Sequence, residues 1–403
     1  METENGRFSG RQLRVIVACF LAYFCAYIGR LNMSATLGHV IEAMKVDETL
    51  GGTLQTVFAI VYASGQFIFG AMVDRVRPRI LLSVGLIGSA LCNLAFSFSG
   101  AFGLMIAMWA LNGLFQSMLW TPIVRTLAEN FEGRKRMKAS FVMSFTLACG
   151  HIAAWGLSSL LSMYVGWRNA YRIPAAILFT ACVGTNLILP GDAGNAIGAA
   201  KAASKSTVGG KMSIAGMLQT GLVLLFVGCV ANGFIRDGVT TWAPPMIVGG
   251  KKSLFSLIIP VINMVGILIG ATAVRRFKGG TRVLFGSMMA ACLLPALVLT
   301  VSGSSVLLTA TFLGVMSAIL YGSNTLITTI IPMEYTDCGR VGLVAGLVDA
   351  LIYVGSALAG TLTGWLHETT GVWTSVYLIW AAVAIVGAAG SILSARGAKK
   401  LSK

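Results

Sequence analysis

The sequence predicts an all-helical membrane protein: twelve transmembrane helices in two pseudo-symmetric six-helix halves, with both termini cytoplasmic. Three observations predict it. The chain is 56% hydrophobic and only 11% charged, whereas a soluble domain carries about 25% charged residues. Apolar runs long enough to cross a bilayer, roughly 20 residues each, recur twelve times. An offset of 206 residues relates polar features of the first half to those of the second.

The runs fall at 13–36, 52–72, 80–98, 102–127, 139–165, 170–190, 214–242, 254–274, 281–301, 305–332, 341–366 and 373–395. Only GWRNAYR separates the fifth from the sixth. The basic start runs straight into a span-length segment, too long for the apolar core of a cleavable signal. Between the sixth and seventh runs lies GDAGNAIGAAKAASKSTVGGK, rich in Gly, Ala and Ser. It reads as a linker, giving halves 1–190 and 213–403 joined by 191–212.

Charge sets the orientation. Basic clusters (DRVRPR, GRKRMK, VRRFKGGTR and the C-terminal ARGAKKLSK) fall on alternate connections. The other connections hold Lys45, Arg168, Arg172, Lys251 and Lys252. Under the positive-inside rule the richer side is cytoplasmic. The net charge of +16 therefore reads as topology rather than a nucleic-acid surface. The eight cysteines form no CxxC pair, and no metal-ligand spacing, cofactor motif or nucleophile–base set appears, which argues against an enzyme. The compact loops suggest a bacterial inner (plasma) membrane protein acting as a monomer, with the lipid bilayer as its surroundings.

The repeat singles out two cations. Arg30 lies within the first run, and Arg236 follows it by 206 residues, within the seventh. ENFEGR matches MEYTDCGR at about the same offset, pairing Glu129 with Glu334 and Arg134 with Arg340. A guanidinium in hydrocarbon costs at least ~2.5–3.5 kcal/mol on insertion scales. Either Arg30 snorkels to an interface, or the two arginines act together. Tyr23, Tyr27, Arg30 and Ser34 share one helical face, and so do Cys229, Asn232, Arg236 and Thr240. Two planar forks facing one cavity suit a phosphate. Their mutual repulsion without an anion would favour exchange over uncoupled return.

Two acids lie in apolar runs. Asp237 adjoins Arg236, and Asp349 shares a face with Tyr353 and Ser356. Each is a coupling or ion-pair candidate; the alternatives are an arginine partner, a substrate contact, a proton carrier or a helix-holding ion pair. On the fourth run, Asn112, Gln116 and Trp120 are spaced to face substrate hydroxyls or a neighbouring helix. Asn263 and Asn324 read as contacts between helices.

The loop GAMVDRVRPR resembles the signature of the major facilitator superfamily, with Arg77 and Pro78 as departures. That resemblance implies a cytoplasmic gate at Asp74, Arg75 and Arg79; a charged turn fixing topology is the simpler reading. AYIGRLNMSA, WALNGLFQSMLWTPIVRTLAENF, GWRNAYRIPA and IRDGVTTWAPP are similar to segments of the organophosphate:phosphate antiporters, which include glycerol-3-phosphate and sugar-phosphate transporters. Across nearly the whole chain this implies substrate binding by Arg30 and Arg236, with aromatic positions at Tyr23, Tyr27, Tyr62, Trp120 and Tyr353. It also implies a small phosphorylated anion moved in exchange for inorganic phosphate. The glycerol-3-phosphate members have Lys and His where this chain has Leu31 and Leu147; His151 lies one turn beyond the latter. The alternative is a proton-coupled symporter of an organic carboxylate that uses Asp349 or Asp237.

Overall fold

A computed structural model describes residues 8–72, 76–190, 221–247, 253–277, 279–302, 305–335 and 341–398. The expected linker and the gate residues Asp74 and Arg75 lie outside these residues, as does Arg340 of the repeat match.

The secondary structure among the described residues is helical. The first six helices are α1 Gly10–Met44, α2 Glu48–Met72, α3 Pro78–Phe98, α4 Phe102–Asn130, α5 Gly133–Tyr164 and α6 Asn169–Ile188. The next six are α7 Leu222–Ile247, α8 Ile258–Arg276, α9 Thr281–Val301, α10 Val306–Thr325, α11 Val341–Thr370 and α12 Trp373–Ala398. Eleven of them are long and apolar enough to cross a membrane, among the described residues. The remaining expected span corresponds to α8, a 19-residue helix. Large apolar side chains face outward along these helices, including Phe67, Leu187 and Val301, each at least 80% exposed. Such a surface is stable only against hydrocarbon, where helices also satisfy every backbone polar group internally.

Local chemistry sets several ends. Pro78 opens α3, where a missing N–H costs nothing. Ser305 caps α10 by accepting from the Leu308 amide. Gly371 ends α11 in the left-handed region, at φ 71°, with its N–H on the His367 carbonyl. Pro122, Pro174 and Pro244–Pro245 lie inside α4, α6 and α7, as is tolerated where neighbouring helices supply partners. Two irregularities were not expected. α9 breaks at Cys292, and α10 continues into a π-helical turn, Leu326–Ile330.

The chain divides into two compact units. One contains the helix residues through Thr36 and those from Val61 to the end of α6; the other contains Leu37–Ile60 and helices α7–α12. The boundary between these units therefore cuts α1 and α2. The reason is a close contact between α2 and α11. A Cβ at Gly52 would collide with the Gly360 carbonyl, and the reverse also holds. Thr56 Oγ1 donates to the Ala357 carbonyl at 2.6 Å, and Gln55 Nε2 donates to Ser356 Oγ at 3.0 Å. The seam ends where His367 meets Glu48 and stacks on Trp373 at 3.6 Å between ring centres. In the first unit α3 packs on α4 and α6; in the second α9 packs on α12, the same pairing one repeat later.

Candidate functional site

Each unit carries one of the two membrane arginines. In the second unit, Arg236 sits midway along α7, whose side chains from Ala231 to Pro244 are otherwise buried. Arg236 Nε donates to Asp237 Oδ1 at 2.7 Å, and Nη2 donates to Oδ2 at 2.8 Å. Nη1 donates to Asn324 Oδ1 on α10 at 2.8 Å. The guanidinium carbon lies 5.8 Å from the centre of the Tyr321 ring. Both members of the Arg236–Asp237 pair are nearly buried, at 12% and 13% side-chain exposure. Thr240 bonds back to the Arg236 carbonyl and meets the Tyr321 hydroxyl at 3.3 Å. Tyr353 of α11 is within electrostatic reach of Arg236. Asp349 lies one turn before it and is part-buried.

This geometry bears on three expectations. Asp237 matches the charge of Arg236, so the expected repulsion between two uncompensated cations does not hold on this side. Asn324 is a contact between helices, as expected, and the partner it contacts is the arginine. Asn232 shares the Arg236 stripe but bonds Ser323 Oγ at 2.8 Å, as a strut between α7 and α10.

In the first unit, the Arg30 guanidinium lies 4.4 Å from the centre of the Tyr62 ring, a cation–π contact worth about 0.5–2 kcal/mol. The Tyr62 hydroxyl accepts from Gln66 Nε2 at 2.9 Å. One to two turns away, Tyr23 packs on Tyr27 and on Trp120, with ring centres 5.0 and 4.8 Å apart. Arg30, Tyr62, Tyr23, Tyr27 and Trp120 are thus five of the expected residues on or against one stretch of α1, α2 and α4.

Of its two expected readings, Gln116 shows contacts to neighbouring helices. It is 2% exposed, and its Nε2 donates to the Ala26 carbonyl at 3.0 Å and to Ser89 Oγ at 2.9 Å. Asn112 and Asn93 both donate to the Gly29 carbonyl, at 3.1 and 2.9 Å. Asn32 donates to Asn93 Oδ1 at 2.8 Å. These amides hold α1 against α3 and α4 and fix the helix that carries Arg30. Ser34, at the end of the Arg30 stripe, accepts from Trp155 Nε1 of α5 at 2.9 Å, and His151 packs edge-on to the same tryptophan. Arg172 stacks on Phe98 at the end of α3.

Away from these sites, Arg79 donates to the side chain and the carbonyl of Asn186 on α6. The contacts of this expected gate residue thus join two helices of one unit. The repeat-related glutamates each hold an arginine: Glu129 pairs with Arg125 on α4, and Glu334 with Arg282 of α9. Among the described residues no group of three or more His, Cys, Asp or Glu is placed to hold a metal ion.

Helices of membrane length, each unit with a cationic residue at span depth among aromatic and amide side chains, define a polytopic membrane transporter. The chain belongs to the Major Facilitator Superfamily, whose family description matches residues 19–337. It is similar to a probable hexose phosphate transport protein of Chlamydia trachomatis, 28% identical over 166 residues, which are 41% of this chain and 36% of that one. A phosphoglycerate transporter protein of Salmonella typhimurium is 27% identical over 189 residues, 45% of this chain and 40% of that protein. A glycerol-3-phosphate transporter of Bacillus subtilis is 29% identical over 171 residues, 41% of this chain and 38% of that one. The matches thus span well under half the length of these relatives. The family and these relatives are membrane transporters, not enzymes. The fold is also that of a bacterial homologue of the human lysosomal transporter Spinster, with TM-score 0.75 and 13% identity, covering 98% of this chain and 99% of the other.

Proposed function

We propose that this protein moves a small phosphorylated metabolite across a bacterial inner membrane in exchange for inorganic phosphate, by alternating access. Arg30 and Arg236, one from each repeat, serve as its anion-binding residues, and both termini are cytoplasmic. The observation that carries this reading is the Arg236 fork. It lies at span depth, is aligned on a carboxylate and is braced by Asn324, and a planar fork of this kind favours bidentate oxyanions. The phosphorylated cargo named for the relatives agrees with it. Tyr62 under Arg30 and Tyr321 and Tyr353 near Arg236 give each cation an apolar wall that strengthens its pull on an anion. Asp349 and Tyr353 face the organic part of the substrate. The protein works as a monomer.

The test is uptake of labelled phosphate into proteoliposomes preloaded with phosphate, without a proton gradient. Exchange is expected, and Arg236→Lys should abolish it in a folded protein, because lysine keeps the charge and loses the fork. Full exchange in that variant, or none in the folded wild type, would overturn the reading. A second reading, proton-coupled symport of an organic carboxylate, rests on the carboxylates of Asp237 and Asp349; it predicts uptake that collapses with an uncoupler and in Asp349→Asn.

A further inference from the structure

We propose that Asp237 is a tethered competitor for the substrate anion and so sets which anions the site accepts. This rests on the phosphate-exchange reading above. Asp237 fills the Nε–Nη2 edge of Arg236 with both carboxylate oxygens, at 2.7 and 2.8 Å. That edge is one of the two on which a guanidinium grips an oxyanion. Adjacent residues of a helix do not ordinarily face each other, so this pairing is a specific arrangement. Gly238 follows without a side chain and leans on the Trp380 ring, where a Cβ would come within 3.2 Å. Thr240 ties the Arg236 carbonyl, and Asn324 holds the Nη1 side of the fork.

The chemistry that follows is selective. A carboxylate attached one residue away acts at a high effective concentration. A free carboxylate brings the same group, the same charge and no such advantage, so it loses the contest. A phosphoryl group brings close to two negative charges and three acceptor oxygens. It outbids the carboxylate at the fork and still has an oxygen for a neighbouring donor. Asp237 thus excludes simple carboxylates and admits phosphates. The same competition also hastens release, because the departing anion is replaced at once by the tethered one.

The experiment is phosphate exchange in proteoliposomes, with half-saturation and maximal rate measured separately for the wild type and Asp237→Asn. The variant should reach half-saturation at about tenfold lower phosphate, exchange more slowly at saturation, and become sensitive to acetate at concentrations that leave the wild type unaffected. An ion pair that only stabilises the helix would lower the maximal rate without tightening half-saturation or admitting acetate. Half-saturation unchanged or raised in the variant overturns the proposal, whereas a folded wild type without phosphate exchange overturns the transport reading instead. Should Asp237→Asn fail to fold, the wild type still decides. Infrared difference spectra on adding phosphate to carboxyl-labelled aspartate protein should contain a shifted carboxylate band, and a spectrum without one overturns the proposal.

Discussion

Arg79 and Arg282 occupy the same place in the two halves, the second residue of α3 and of α9, and different chemistry holds them. Arg79 reaches α6 through neutral acceptors, the side chain and carbonyl of Asn186. Arg282 reaches α12 through the Ser394 carbonyl at 3.2 Å, but it also donates to Glu334 at 3.1 Å and to the Tyr335 hydroxyl at 2.8 Å. The site arginines repeat the contrast in their described contacts, with Arg30 on an aromatic face and Arg236 on a carboxylate. The repeat preserves the cation and its depth while changing what receives it. An arginine inherited by duplication is therefore understood from its partner, not from its position.

That comparison can be broken most sharply at Arg282. Its side chain is 2% exposed and that of Glu334 27%, so the carboxylate left behind is partly hydrated and the loss should fall below the ~3–5 kcal/mol of a fully buried pair. Arg282→Ala should lower the thermal midpoint in detergent well below that of Arg79→Ala. The latter loses hydrogen bonds to neutral groups, about 1–3 kcal/mol in all. Equal losses would mean that the different partners have no energetic consequence. Next comes Gln116→Leu, which leaves the Ala26 carbonyl without its amide donor and should cost about 1–3 kcal/mol. Its half-saturation for phosphate should stay within twofold of wild type; a large rise would return Gln116 to the substrate site.

Tyr62→Leu sharpens the contrast at the site itself. Losing a cation–π contact of about 0.5–2 kcal/mol should raise half-saturation for phosphate between twofold and about thirtyfold, with the protein still folded. An unchanged value would mean that the Tyr62 ring does not hold Arg30 for the anion. The smallest effect belongs to Glu48→Gln. Its pair with His367 is partly exposed, at 28% and 19% of the side chains, and such pairs contribute about 0–1 kcal/mol. A loss of several kcal/mol in a melting experiment would mark the α2–α11 seam as dependent on charge.

The fold was legible because span-length apolar runs are unambiguous, and the offset between Arg30 and Arg236 exposed the duplication directly. The division of α1 and α2 between units was not. It depends on Gly52 and Gly360 meeting backbone to backbone, and a glycine within an apolar run reveals neither its neighbour nor its distance. In the site, Asp237 was visible as an acid beside an arginine, but its bidentate grip was not. Asn324 was read only as a contact between helices, although Tyr321, Asn324 and Thr328 fall on one face just where α10 loosens into a π-turn, a feature often found at functional sites. Gln116 misled because helical spacing gives the face of a side chain but not what lies opposite. Three polar residues of α3 and α4, Asn93, Asn112 and Gln116, are committed to carbonyls of α1.

The meeting of Gly52 with Gly360 has a consequence for wetting. The surfaces that touch there are backbone and short hydroxyl or amide side chains, Thr56, Thr361, Gln55 and Ser356. If α2 and α11 part, water can satisfy each of these polar groups as it separates. These polar groups thus have partners when the seam is shut and find them in water when it opens. Contacts of this kind can part and rejoin many times, because neither state leaves these polar groups unsatisfied.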